Sequence, residues 1–256
     1  MDKRTRAAVT RHALAEYPRE ACGLVVRVNG RRRYVPCRNL APDPAAHFQL
    51  CPQDYAAAED LGEVVAVVHS HPDAPAAPSP LDRQGCEASG LPWVIVAVHG
   101  DGGALAVAGW AELAPCGWRA PLVGRAFVHG VFDCWAVCRD YYAREHGLEL
   151  PDYEREDEWW TRPGHDLYRQ HYAAAGFVEV VGPPREGDMI VMQIRAEVAN
   201  HAGIYLAAGT LASEPNHYPA PGSILHHLHG RDSRRDVYGG YWEDCTQLIL
   251  RHRTLM

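Results

Sequence analysis

Two histidines end a run of valines in the first half of the chain. His69 and His71 close the stretch VVAVVHSH, whose apolar residues predict a buried strand. Side chains at i and i+2 of a strand project from the same face, so both imidazoles can point at one ion. Asp82 comes within reach if the proline-rich stretch PDAPAAPSPL folds back as a loop. Two imidazoles and a carboxylate, with a fourth position open to water, are the ligand set of a catalytic zinc site.

A catalytic zinc site also needs a general base. Glu20, at the start of the first predicted strand, is the natural candidate. Zinc would lower the pKa of its bound water to about 7 and make that water a nucleophile. Two alternatives stay open. The histidines can be a capped strand end with Asp82 as a helix N-cap, or the site can bind zinc without catalysing a reaction.

The five residues together resemble a known signature. Glu20 followed by H-x-H-x7-S-x2-D is similar to the JAMM metallopeptidase motif with every position filled, over about residues 1–110. The resemblance implies zinc as the cofactor and hydrolysis of amide or isopeptide bonds as the reaction. It implies zinc ligands at His69, His71 and Asp82. It also implies that Glu20 activates the water and that Ser79 helps to hold the water and the tetrahedral intermediate.

Cys134 is the cysteine whose context is typical of a nucleophile. It follows Asp133 at the predicted start of a helix, where the helix dipole and free N–H groups favour a thiolate and lower the thiol pKa. His201, which begins the β-rich stretch HAGIYLA, is the best-placed base. The stretch SILHHL supplies His226 or His227 as a third group that orients the imidazole. Alternatively, Cys134 is a small core residue and His201 a polar strand end.

The cysteine-bearing half resembles the NlpC-like cell-wall peptidases, a papain-like family, over about residues 121–256. The resemblance rests on Asp-Cys at a helix start, followed by H-x-G-I-Y on a strand. It implies that Cys134 is the nucleophile, His201 the base and His226 the orienting residue.

The chain departs from that family pattern at two points. Trp135 follows the nucleophile where many members have serine, and this bulky side chain bears on substrate access. Phe127 and His129 stand near the position of a tyrosine that helps to stabilise the oxyanion in many members. Farther along, Trp159 and Trp160 lie in an acidic loop. Such a pair can form a stacking platform for glycan or peptide, but more often it closes a core edge or contacts a partner, and the partner contact is slightly favoured.

Composition excludes several classes of protein. The chain has 256 residues, 47% of them hydrophobic, and a net charge of −7, which disfavours nucleic-acid binding. No stretch reaches the 18 or so uninterrupted apolar residues of a transmembrane helix, and the N-terminus lacks the apolar region of a secretory signal. The eight cysteines form no CxxC pair, which indicates a reduced protein rather than a disulfide framework.

The periodicity predicts two domains. The first half alternates helices with strands, which indicates an α/β fold. The stretch ELAPCGWRAPLVGRAF breaks the periodicity with prolines and glycines. We therefore predict a JAMM-like domain over residues 1–115, a linker over 116–124 and an NlpC-like domain over 125–256. The second domain, a helix followed by antiparallel strands, is predicted to be α+β and papain-like.

The succession of the two domains resembles the phage lambda-like tail assembly protein K family over nearly the whole chain. The resemblance implies a tail-tip component whose partners are other tail-tip proteins and whose substrate is a peptidoglycan peptide. It also implies synthesis in the host bacterial cytoplasm and later residence at the virion tail tip. Two other classes remain open: a structural tail-tip assembly or plug protein with one or both sites silent, and a cytoplasmic zinc isopeptidase.

Overall fold

The computed structural model describes residues 1–101 and 104–256. They form two compact units, Met1–Ala120 and Pro121–Met256. Each unit has its own hydrophobic core.

The first unit is a five-stranded sheet with helices on both faces. The strand order is β2-β1-β3-β4-β5, in which β3 and β4 run parallel and the other neighbours antiparallel. The elements are α1 (Lys3–Glu16), β1 (Cys22–Val28), β2 (Arg31–Cys37), α2 (Pro52–Leu61), β3 (Glu63–Pro72), α3 (Pro80–Ser89), β4 (Trp93–Asp101) and β5 (Ala104–Leu113).

Alternation along the strands divides the first core into two layers. On one face, Val9 and Ala13 of α1 pack with β-strand residues such as Val68. On the other face, Ala58 of α2 and Cys86 of α3 pack with a second set of strand residues. Successive strand residues point to opposite faces, so the nearly continuous apolar run of β3 contributes side chains to both layers. This burial fixes β3, which carries the two histidines.

The second unit is an antiparallel six-stranded sheet of order β10-β9-β8-β7-β11-β6. Its strands are β6 (Phe177–Glu179), β7 (Met189–Met192), β8 (His201–Leu206), β9 (Ser223–His226), β10 (Arg234–Val237) and β11 (Thr246–His252). Its helices are α4 (Cys134–His146), α5 (Leu167–His171) and α6 (Tyr241–Asp244). Short 3₁₀ turns cover Trp159–Thr161 and Arg253–Leu255. Helix α4 packs on β8 and β9, so its first residue lies beside the strands that carry the predicted histidines.

The predicted fold class, an α/β unit followed by an α+β unit, is confirmed. Helix α1 begins at Lys3, because the Asp2 side chain caps it by accepting the Thr5 N–H at 2.9 Å. Helix α5 is a single short turn. Over the described residues, no helix combines the length and the apolar character needed to cross a membrane.

The segment predicted as a linker, residues 116–124, has contacts at both of its ends. The Glu87 carboxylate accepts backbone N–H groups of residues 116, 117 and 118 at 2.7 to 3.1 Å, within the first unit. The Glu214 carboxylate accepts the N–H groups of Leu122 and Val123, within the second unit. The change from one unit to the next falls between Ala120 and Pro121.

Candidate functional sites and family relationship

Strand β3 and helix α3 bring two imidazoles and a carboxylate together. Nε2 of His69 lies 3.0 Å from Nε2 of His71 and 3.0 Å from Oδ1 of Asp82. Nε2 of His71 lies 3.4 Å from Oδ2 of Asp82. Tetrahedral zinc at about 2.0–2.1 Å from each donor separates its ligand atoms by about 3.3 Å. The three donors therefore fit a zinc ion.

The surroundings orient both imidazoles. Nδ1 of His71 is 2.7 Å from the carbonyl oxygen of Pro75 and must donate its proton there, which leaves Nε2 free to bind a metal. The His69 ring stacks on Phe48 with centroids 4.6 Å apart and meets the Trp93 ring edge-on. Nδ1 of His69 is buried and finds no hydrogen-bond partner in the described part of the chain. Packing rather than a hydrogen bond therefore fixes the Nδ1 side of the His69 ring.

The S-x2-D spacing is a helix capping box. Ser79 is the N-cap of α3, and its Oγ accepts the N–H of Asp82 at 3.1 Å. Oδ2 of Asp82 accepts the N–H of Ser79 at 2.7 Å. The alternative in which Asp82 is the N-cap of this helix is wrong, because Ser79 occupies that position. The Asp82 carboxylate instead lies against both histidines. The Ser79 hydroxyl, used as an acceptor, retains its proton to donate.

Glu20 lies beside this cluster because the chain before β1 is tied to β3. Oγ of Ser70, between the two histidines, accepts the N–H of Ala21 at 2.8 Å. Glu20 is buried, and burial raises the pKa of its carboxyl to about 8, with a smaller rise from Asp82 and an opposing effect of His71. A carboxyl with such a pKa can take up and return a proton near neutral pH.

The Asp82 carboxyl has the opposite character. Burial acts to raise its pKa, but the adjacent imidazoles of His69 and His71 and the contact with Ser79 outweigh burial and hold the pKa well below its usual range. Asp82 is therefore a carboxylate at neutral pH. Of the two buried carboxyl groups in this site, Asp82 thus stays ionised at neutral pH, whereas Glu20 can gain and lose a proton.

Cys134 is the first residue of α4. Asp133 caps the helix by accepting the N–H of Ala136 at 2.9 Å, and Arg155 pairs with the same Asp133 carboxylate at 2.9 Å. The Cys134 sulfur lies 3.4 Å from the hydroxyl of Tyr168 on α5. The sequence prediction did not include Tyr168.

Cys134 and His201 line one pocket. Its walls are mainly aromatic rings, among them Phe127, Trp135, Tyr153, Trp159, Trp160 and Tyr168. Trp159 is buried, and it meets Trp160 edge-on with ring centroids 5.8 Å apart. The segment therefore folds back as a wall of this pocket, and the partner contact favoured for these two tryptophans stays a prediction.

Strand pairing selects one of the two candidate orienting histidines. Nε2 of His201 is 2.9 Å from Nδ1 of His226, and both rings are buried. His227 instead packs edge-on against Phe127, with ring centroids 5.2 Å apart. Nε2 of His226 in turn lies 3.2 Å from Oδ2 of Asp236 on β10, a contact that the sequence prediction missed.

The glycine of H-x-G-I-Y has a steric reason. Gly203 pairs with His226 across β8 and β9, and a Cβ at Gly203 would stand 2.9 Å from the His226 Cβ and 3.0 Å from the Leu225 carbonyl oxygen. The close approach of His226 to the neighbouring His201 therefore requires a residue without a side chain at Gly203.

Gly203→Ala is expected to lower the free energy of unfolding by about 1–3 kcal/mol, because the backbone must move to accept the methyl group. Urea denaturation of the two proteins measures the loss. Gly109→Ala is the matched control: its added Cβ would have Ala76 as nearest neighbour at 3.8 Å, so we expect little change. Equal stability of Gly203→Ala and wild type would contradict the packing described.

The Cys134 thiol differs from the sequence expectation. Burial raises its pKa to about 11, Asp133 raises it further, and the hydrogen bond with Tyr168 opposes them. Burial, with His226 and His227 nearby, lowers the pKa of His201 well below its usual range. The predicted lowering of the thiol pKa by the helix N-terminus is therefore wrong, because burial outweighs the dipole. At neutral pH the two groups are a thiol and a neutral imidazole.

The rate of alkylation of Cys134 by iodoacetamide should accordingly rise about tenfold for each pH unit above neutral, because only the thiolate reacts. The increase should continue toward the pKa of about 11. Peptide mass spectrometry follows the Cys134 peptide, and the exposed Cys116 provides an internal reference. A rate that is already constant from pH 6 to 8 would indicate a thiolate–imidazolium pair and contradict this protonation state.

Comparisons with known proteins match both units. Residues 2–110 match the family of prokaryotic homologs of the JAB domain, and residues 124–251 match the NlpC/P60 family. The chain is 44% identical over 259 residues to the tail tip assembly protein K of Escherichia phage N15, covering 99% of this chain and 96% of that protein. It is 35% identical over 205 residues to the tail tip assembly protein K of Escherichia phage lambda, covering 80% and 89%. With both domains present and similarity over nearly its full length, the chain belongs to the tail tip assembly protein K family.

Proposed function

We propose that this chain is a tail-tip peptidase with two hydrolytic sites. The site at Cys134 cleaves peptides of peptidoglycan, and the zinc site formed by His69, His71 and Asp82 hydrolyses an amide or isopeptide bond. One observation carries the proposal: a half-buried thiol and a buried imidazole line the same pocket, and a second imidazole is hydrogen-bonded to the first.

The cysteine site has the groups needed for acyl transfer. Nε2 of His201 is engaged with His226, which leaves Nδ1 to take the proton from the Cys134 thiol. The sulfur then attacks the scissile carbonyl carbon, the amine leaves with the proton from His201, and a thioester remains. Water, activated by His201, hydrolyses that thioester and restores the thiol.

The tetrahedral intermediate carries an oxyanion that needs hydrogen-bond donors. The first backbone N–H groups of α4 supply a positive helix terminus beside Cys134. The Tyr168 hydroxyl, 3.4 Å from the sulfur, supplies a further donor. Tyr168 thus offers a hydroxyl to a pocket in which Phe127 and His129 provide none.

Five side chains have separate roles in the zinc site. His69, His71 and Asp82 would hold the ion, which supplies a Lewis acid when bound. Glu20, whose pKa is about 8, would take a proton from the attacking water and return it to the leaving nitrogen. The Ser79 hydroxyl, fixed at the N-cap of α3, would donate to the developing oxyanion.

The family supports a location for these reactions. Both relatives compared above have names that describe them as tail tip assembly proteins. By extension, this chain would be made in the host bacterial cytoplasm, join other tail-tip proteins and reside at the virion tail tip. Cleavage of wall peptides by Cys134 would then help the tail to cross the host wall.

The proposal is tested with purified full-length protein. We expect about one zinc per chain by atomic emission, and release of soluble peptide from purified peptidoglycan. Glu20→Ala is expected to retain peptide release, because that residue belongs to the other unit. Wild-type protein that binds no zinc and releases no peptide would overturn the enzymatic function in favour of a structural assembly or plug protein. Loss of release in Glu20→Ala would instead assign wall cleavage to the zinc site.

A further inference from the structure

Three buried or half-buried side chains lie in a row behind the pocket that holds Cys134. Nε2 of His201 lies 2.9 Å from Nδ1 of His226, and Nε2 of His226 lies 3.2 Å from Oδ2 of Asp236. Their strands β8, β9 and β10 are adjacent in the sheet. The His226 ring is fully buried, and the Trp242 ring packs edge-on against it with centroids 4.6 Å apart. The row therefore has one fixed geometry.

The carboxylate at the end of the row decides where the protons lie. An ionised carboxylate only accepts hydrogen bonds, so Nε2 of His226 must carry the proton that binds Asp236. A neutral His226 then has an unprotonated Nδ1, which accepts from Nε2–H of His201. The remaining nitrogen of His201, Nδ1, is left without a proton. That is the state in which His201 can accept the proton of Cys134.

We propose that Asp236 is a positioning residue of the cysteine site: through His226 it selects the His201 tautomer whose Nδ1 is free to deprotonate Cys134. The inference rests on the proposed function of Cys134. It adds Asp236 to the series formed by Cys134, His201 and His226. Asp236 is not among the described residues that line the pocket.

The charges around the row agree with this assignment. Arg234, which pairs with His226 in the sheet register, donates to Oδ1 of Asp236 at 2.7 Å and leaves Oδ2 for the imidazole. The other titratable group facing His226 is His201, and His227 is the next residue in the chain. When His201 accepts a proton, the new positive charge is shared along a row that ends in a carboxylate.

Replacing the Asp236 carboxylate with an amide of the same shape should reverse which nitrogen of His226 and of His201 carries the proton. In Asp236→Asn the side-chain amide can donate to Nε2 of His226, so that Nδ1 carries the proton and donates to His201. His201 then holds its own proton on Nδ1, the nitrogen that would otherwise deprotonate Cys134, and cannot act as a base. We expect kcat for peptide release to fall by about 100-fold while KM changes by less than about twofold.

Arg234→Gln is the matched control. It removes the second partner of the same carboxylate but leaves the Asp236–His226 hydrogen bond, so we expect kcat within about threefold of wild type. A kcat of Asp236→Asn that equals that of Arg234→Gln would overturn the assignment. Equal unfolding midpoints for the two variants would show that a lower kcat of Asp236→Asn comes from the changed tautomer of His201 and not from unfolding.

A second readout needs no substrate. ¹⁵N NMR of histidine-labelled wild-type protein reports which ring nitrogen carries each proton. We expect His226 and His201 both protonated on Nε2, and in Asp236→Asn a shift of protons to Nδ1. Nδ1 protonation of His226 in wild type would overturn the inference even if Asp236→Asn failed to fold. If wild type released no peptide, the proposed function would fail, while the NMR spectra would still decide the role of Asp236.

Discussion

Replacing Cys134 with alanine is expected to reduce kcat for peptide release from peptidoglycan by about 10⁴-fold or more, because the covalent pathway is lost and only positioning remains. His201 would keep its contact with His226, since that hydrogen bond does not involve the sulfur. Substrate binding in the aromatic pocket should persist, so the loss falls on kcat rather than on KM. Chromatography of soluble peptides over time measures both constants.

Cys138→Ala is the control for this variant. Cys138 lies one turn farther along α4, is completely buried and packs in the core of the second unit. Its truncation removes one buried sulfur and lowers stability modestly, but it leaves the pocket groups in place. We expect near wild-type release from Cys138→Ala at a temperature where it is folded. Comparable loss in both variants would mean that Cys134 acts through packing and not as a nucleophile.

Asp82→Asn is expected to weaken zinc binding by more than about 100-fold, because a neutral amide replaces the anionic ligand that lies between two imidazoles. The amide oxygen can still accept the N–H of Ser79, so the start of α3 should remain folded. Competition with a chromophoric chelator measures zinc affinity, and thermal unfolding in the presence and absence of zinc measures the linked stability.

Asp54→Asn is the control for the zinc experiment. Asp54 is a carboxylate of the same unit whose partner is Arg38 at 2.8 Å, and it takes no part in the His69–His71–Asp82 cluster. We expect it to bind zinc as wild type does. An Asp82→Asn protein with wild-type zinc affinity would rule out the three-ligand site.

Local spacing predicted the parts of the sites that lie on one element. His69 and His71 are two residues apart on a strand, so their convergence follows from the pleat alone. The S-x2-D spacing carries the geometry of a capping box, which aims the side chain of Asp82 back toward the N-terminus of its helix. Glu20 and His201 are candidates because each stands at the start of a predicted strand, and the resemblance assigns them to the two sites. Spacing alone does not pair such distant residues.

Long-range packing determined what the sequence did not predict. Asp236 reaches His226 only because β10 pairs with β9 in the register that sets Arg234 opposite His226. Tyr168 reaches the sulfur of Cys134 only because the segment before β6 folds over the pocket. Neither contact has a signal within a short window of sequence.

Protonation states were equally inaccessible from the sequence. A cysteine at a helix start predicts a lowered pKa, yet burial raises the pKa of Cys134 to about 11. The magnitude of burial depends on the aromatic side chains that close the pocket, and those come from several separate segments.

Peptide release by zinc-depleted protein tests most directly whether the two units carry separate sites. Wild-type protein is treated with a chelator, its zinc content is measured, and release of soluble peptide from peptidoglycan is followed alongside untreated protein and Cys134→Ala. We predict that release persists after zinc is removed and is absent from Cys134→Ala with zinc bound. Release that disappears with zinc and survives in Cys134→Ala would contradict the assignment of wall cleavage to the cysteine site.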